Sequence, residues 1–127
     1  MKRKMANALL IAKQNKKTNR IENLLSEYFQ KVSVVLELTG TGQRPLDHHF
    51  DLIVVTDSLD VKPDGDFLSC LRRLFPGAKF LYLGDEIASQ TEMSLRAAGL
   101  IFLGSYDHFI HSAQQILGAV KKRQISC

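Results

Sequence analysis

Cysteine is scarce in this 127-residue chain, and long apolar runs are missing. Cys70 lies in a helical pattern and Cys127 is the last residue, so the two thiols give neither a disulfide framework nor a metal-ligand spacing. No apolar run approaches the roughly 20 residues that a membrane-spanning helix needs. The basic opening Met1-Lys2-Arg3-Lys4-Met5 leads only into a short apolar piece, residues 8–12. A secretory signal needs a longer apolar region and a small-residue cleavage site, so a cytoplasmic protein is expected. Internal repeats, long linkers and low-complexity tracts are absent as well. The length suits one domain over residues 1–127, large enough for a real core and too small for two.

Acidic residues are thin at both ends. Residues 1–31 carry eight Lys/Arg against two Glu, and Lys121, Lys122 and Arg123 make the other end basic. Residues 32–120 reverse the balance, with eleven acids against six bases. Basic ends can touch nucleic acid or an anionic membrane surface. A solubilising tail and a solvated helix face explain them more simply, and nucleic-acid binding by this chain alone is not expected.

Catalytic constellations are missing too. No Ser/His/Asp or Cys/His arrangement pairs locally, so no catalytic residue is assigned and no enzymatic activity is expected. Gly40-Thr41-Gly42 lacks the Gly-Lys-Ser/Thr ending of a phosphate-binding loop and the full spacing of a dinucleotide fingerprint; it reads as a flexible loop. Adjacent residues such as His48-His49 generally direct their side chains apart, and His108/His111 give at most two ligands. Neither a cofactor nor a metal site is expected.

What the chain does have is Phe50-Asp51-Leu52-Ile53-Val54-Val55-Thr56-Asp57, an apolar run that delivers an acid at its carboxyl end, with Asp64-Gly65 seven residues on. Open α/β sheets place their chemistry at the carboxyl tips of strands. Short apolar runs at 8–12, 32–38, 52–56, 79–83 and 100–103 alternate with helical patterns at 18–29, 67–75, 89–98 and 107–123, and Gly99 is a helix stop. Near-continuous apolar strands between helices imply a parallel sheet covered on both faces. Right-handed crossovers then favour a doubly wound, flavodoxin-like α/β sheet of five strands in the order 2-1-3-4-5. In residues 39–50, Gly40, Gly42 and Pro45 erode the helix due after the second strand and predict a loop.

This order, with an acid after the third strand and Asp-Gly beyond it, resembles the receiver domain of bacterial response regulators over about residues 6–122. The resemblance puts Asp57 at the phosphoacceptor position and Asp64-Gly65 at the family's Asp-Gly, with the preceding proline displaced to Pro63. It also marks what is missing. Ala12 and Lys13 stand where receivers carry the acid pair that holds magnesium. Leu83 is followed by Gly84, Asp85 and Glu86 where a Thr or Ser is usual. Phe102 and Leu103 run into Gly104, Ser105 and Tyr106 where a lysine is usual. Ala12, Lys13, Asp57, Gly84 and Ser105 therefore form a degenerate site. Phosphoryl transfer to a carboxylate relies on positioning and charge neutralisation, and magnesium takes one or two carboxylates plus phosphate and water. Asp57 alone would be a weak magnesium site.

Two arrangements of Asp57 stay open. Lys13 could take the vacated metal position and pair with Asp57, an attraction of about 4 kcal/mol at 4 Å before desolvation. Alternatively, Lys13 points to solvent and Asp57 accepts from loop amides. The resemblance also implies a partner surface on the helix after the fourth strand, the fifth strand and the closing helix, where Met93, Arg96, Tyr106, His108 and His111 are candidates. The expected function is that of a degenerate receiver that binds another signalling or regulatory protein, or a second copy through that surface, without phosphorylation. The rivals are a conventional phospho-accepting regulator using Asp57 and a small-ligand sensor at the carboxyl ends of the first and third strands.

Overall fold

The computed structural model describes residues 5–35, 50–57, 65–75, 77–85, 89–97, 99–100 and 102–125. Five strands, β1 (Met5–Ile11), β2 (Phe29–Val35), β3 (Leu52–Thr56), β4 (Lys79–Leu83) and β5 (Phe102–Gly104), alternate with α1 (Lys16–Tyr28), α2 (Gly65–Leu74), α3 (Ser89–Ala97) and α4 (Tyr106–Ile125). All pairings are parallel, in the order β2-β1-β3-β4-β5. The sheet is the doubly wound one that the sequence pattern predicts.

Period-two alternation sorts the strand residues into two cores. Ala8, Leu10, Leu52, Val54, Leu81 and Leu83 face α1 and α4, where Ile21, Leu25, Phe109, Ala113 and Leu117 cover them. Leu9, Ile11, Ile53, Val55, Phe80 and Tyr82 face the other way, against Leu68 and Leu71 of α2 and Leu95 of α3. Every residue of β3 is buried, as a central strand covered on both faces must be. Phe50 meets Phe75 edge-to-face at 5.4 Å and closes the amino end of the second core.

The element ends differ from the sequence pattern in ways that local chemistry explains. Asn15 caps α1: its side chain accepts the Thr18 N–H at 2.9 Å, and the Thr18 hydroxyl accepts the Asn15 N–H at 2.8 Å. The helix therefore starts at Lys16, ahead of the expected residue 18. Phe29, on the predicted helical stripe, is instead extended (φ −122°, ψ 147°) and opens β2 opposite Met5, ahead of the expected residue 32. β5 runs from Phe102 to Gly104 rather than over 100–103, because its ladder begins where Phe102 meets Leu81. The expected loop at 39–49, with Gly40, Gly42, Pro45, His48 and His49, lies outside the described residues, as do Pro63 and Asp64. Among the described residues, no helix is long and apolar enough to cross a membrane.

Gly99 stops α3 in the left-handed region (φ +92°), and its N–H donates to the Arg96 carbonyl at 3.1 Å. A Cβ there would stand 3.1 Å from the Arg72 guanidinium. Gly99→Ala is expected to cost roughly 1–2 kcal/mol in chemical denaturation, from left-handed strain on a residue with a Cβ. An unchanged midpoint would contradict that backbone assignment.

Candidate functional site

The carboxyl ends of β3, β4 and β5 are held level by ladder bonds that continue past the strands. The Asp57 N–H donates to the Leu83 carbonyl, and the Gly84 N–H donates to the Gly104 carbonyl, each at 2.9 Å. This alignment delivers Asp57, Gly84 and the start of α4 to one edge of the sheet. Thr56, fully buried, donates its hydroxyl to the Ile11 carbonyl at 3.3 Å and ties the ends of β1 and β3 together.

Asp57 is exposed, yet both of its carboxylate oxygens are engaged by this chain. The Tyr106 hydroxyl donates to Oδ1 at 2.6 Å, and the Asp85 N–H donates to Oδ2 at 3.2 Å. Gly84 permits the close approach of β4: a Cβ there would lie 3.1 Å from both Asp57 Cβ and Oδ2. Ser105 sets the start of α4, its hydroxyl accepting the His108 N–H at 3.1 Å and its carbonyl accepting the Phe109 N–H at 3.0 Å. Tyr106 thereby becomes the first helical residue and turns inward, with 4% of its surface exposed.

A cation completes the cluster. Lys17, in the first turn of α1, pairs with the Asp85 carboxylate and lies over the Tyr106 ring, 5.6 Å from its centroid. The hydrogen bond that the Lys17 ammonium donates to Asp85 holds its pKa above the ordinary value, with smaller contributions from the charges of Asp85, Asp57 and Asp107 against a loss from desolvation.

Burial first, then the hydrogen bond to Asp57 and its charge, pushes the Tyr106 phenol well above its usual range; a contact with the Thr56 hydroxyl acts the other way. Tyr82 is pushed up to about 12 by burial and by the Asp57 charge. Unfolded tyrosines release their protons near pH 10. Above that pH the unfolded chain binds fewer protons than the native one, so stability falls as pH rises. The melting temperature is expected to decline from pH 10 upward through about 12, where Tyr82 titrates, and less steeply in Tyr106→Phe. A flat wild-type profile over that window would contradict the buried-phenol geometry.

The expected site residues fare differently. Ala12 is buried, Lys13 is exposed and Gly84 is buried against Asp57. The Asp57 oxygens accept from Tyr106 and the Asp85 amide, so the loop-amide alternative describes one of the two bonds. The cation that meets Asp85 at this edge is Lys17. Ser105 serves as a helix cap, and Tyr106, expected among the surface candidates, lies inside the site. Met93, 72% exposed, and Arg96, His108 and His111 lie on the surface.

Among the described residues, the donor set at this edge does not suit a magnesium ion. Ala12 offers no side-chain oxygen, the Asp57 oxygens accept hydrogen bonds, and the Asp85 carboxylate is paired with Lys17. Among the described residues, no group of three or more His, Cys, Asp or Glu could hold a metal ion.

The strand order is that of the flavodoxin-like fold, which response-regulator receiver domains share, and an acid stands at the carboxyl end of the third strand. Comparison with solved structures agrees. The chain is similar to an orphan response regulator of H. pylori, at 20% identity over 91% of this chain and 99% of that one, TM-score 0.67. It is similar to a Burkholderia pseudomallei response regulator carrying a phosphorylated aspartic acid, a calcium ion and citrate, at 17% identity over 95% and 72% of the two chains, TM-score 0.66. A third similar structure is a pilus assembly-related protein of Burkholderia pseudomallei, at 15% identity over 91% of each chain, TM-score 0.63. No protein-family model and no curated protein matches the sequence.

Proposed function

We propose that the chain is a receiver-fold regulatory domain of a two-component-type system that works in the cytoplasm by binding another protein, without enzymatic activity and without phosphorylation at Asp57. The observation that carries this reading is the 2.6 Å hydrogen bond from the Tyr106 hydroxyl to Asp57 Oδ1. A neutral phenol stands against the acceptor oxygen, and the nearby ammonium of Lys17 is committed to Asp85. Neither group neutralises charge on an incoming phosphoryl group as the reaction requires. The output surface in this reading is α3, β5 and α4, where Met93, Arg96, His108 and His111 are exposed to a signalling partner or a second copy.

Exposure of the Asp57 carboxylate and the phosphorylated aspartic acid of the similar Burkholderia pseudomallei protein favour the rival, a conventional phospho-accepting regulator. Intact mass after incubation with acetyl phosphate, with and without magnesium, separates the two. The reading predicts no phosphoryl adduct on the folded chain. A magnesium-dependent adduct that disappears in Asp57→Asn would overturn it.

A further inference from the structure

We infer that Lys17 is a latch for Asp57: by pairing with Asp85 across the face of Tyr106, it holds both of the carboxylate's hydrogen-bond donors in place. The inference rests on the reading of Asp57 as a locked carboxylate and adds what locks it.

Lys17 sits where a helix by itself disfavours a cation, in the first turn of α1, which contains no acid. Its stabilising contacts come from outside the helix: the Asp85 carboxylate, the Tyr106 ring, and the charges of Asp57 and Asp107. The two donors to Asp57 are each gripped at a second point by this one ammonium. Asp85 gives its carboxylate to Lys17 and its N–H to Asp57 Oδ2. Tyr106 gives its ring face to Lys17 and its hydroxyl to Asp57 Oδ1. The start of α1 is thus tied to the segment after β4 and to the start of α4, and both converge on the acid after β3.

The pair is open to solvent, with its two side chains 59% and 39% exposed. Salt screens such a pair, and a carboxylate on a partner can compete for the ammonium. Drawing Lys17 away from Asp85 loosens the segment after β4 and uncovers the Tyr106 ring face, and so weakens both hydrogen bonds to Asp57. The contact is a conformational latch whose key is an anionic group.

Nuclear magnetic resonance of the full chain with labelled tyrosines tests this, with Tyr106→Phe identifying the Tyr106 signals. In the wild type, the Tyr106 hydroxyl proton exchanges slowly at neutral pH and the phenol resists alkaline titration. In Lys17→Met, exchange becomes about tenfold faster, as the loss of one modest hydrogen bond implies, and the Tyr106 pKa falls. Simple removal of a neighbouring cation would raise a phenol pKa, so the direction separates release of the latch from loss of charge. Lys17→Arg keeps the wild-type behaviour, and added salt moves the wild type toward Lys17→Met without any substitution. A slow hydroxyl proton and an unchanged or raised pKa in Lys17→Met overturn the latch, as does a wild type that does not respond to salt. An unprotected, ordinarily titrating Tyr106 in the wild type overturns the locked carboxylate itself, so the two failures are distinct.

Discussion

Tyr106→Ala is expected to cost about 3–5 kcal/mol of stability, the range for removing a buried aromatic ring. Tyr106→Phe is expected to cost only about 1–2 kcal/mol, a charge-assisted hydrogen bond discounted for the exposure of its acceptor. The ring packs in the core shared by α1, α4 and the sheet, so alanine leaves a cavity there. Phenylalanine keeps the packing and deletes the hydroxyl's bond to Asp57 together with its contact with Thr56. Chemical denaturation measures both, with the slope checked for constancy so that the midpoints report stability. Equal losses in the two variants would mean that the hydroxyl, not the ring, holds this corner.

Phe109→Ala should be as damaging as Tyr106→Ala, at about 3–5 kcal/mol. Phe109 is fully buried one helical turn along α4 from Tyr106, and its ring meets Phe102 at 6.2 Å. Leu10, Leu52, Leu81 and Leu83 line the same core. Against a total stability of about 5–15 kcal/mol for a native domain, such a loss removes from about a fifth to all of it. A loss under about 1.5 kcal/mol, the cost of a well-tolerated apolar swap, would show that α4 does not pack on the sheet through this ring.

The fold was legible because its signals are local. Residues 52–56 form an uninterrupted apolar strand, and the ends of β4 fall at Lys79 and Leu83 as the pattern predicts. The start of β2 was not legible, because Phe29 serves both a helical stripe and an extended ladder and no glycine or proline marks the change.

The site was legible in part. The apolar run delivers Asp57, and the resemblance picks out Gly84 by its place after Leu83. The side-chain donor to Asp57, Tyr106, lies 49 residues away and reaches it only through the register of three strand ends and the cap at Ser105. No local spacing encodes that meeting. A faint signal for Lys17 was present in its unfavourable place at the head of a helix without acids, which points to an anion elsewhere in the fold.

The measurement that tests the central claim most directly is the ionisation of Tyr106, followed by the resonance of its labelled ring in the wild type and in Asp57→Asn. The account predicts a phenol that keeps its proton well above pH 10 in the wild type and releases it at lower pH once the Asp57 charge is gone, burial still holding it above the ordinary value. A wild-type Tyr106 that titrates near pH 10, or one that is indifferent to Asp57→Asn, would contradict it.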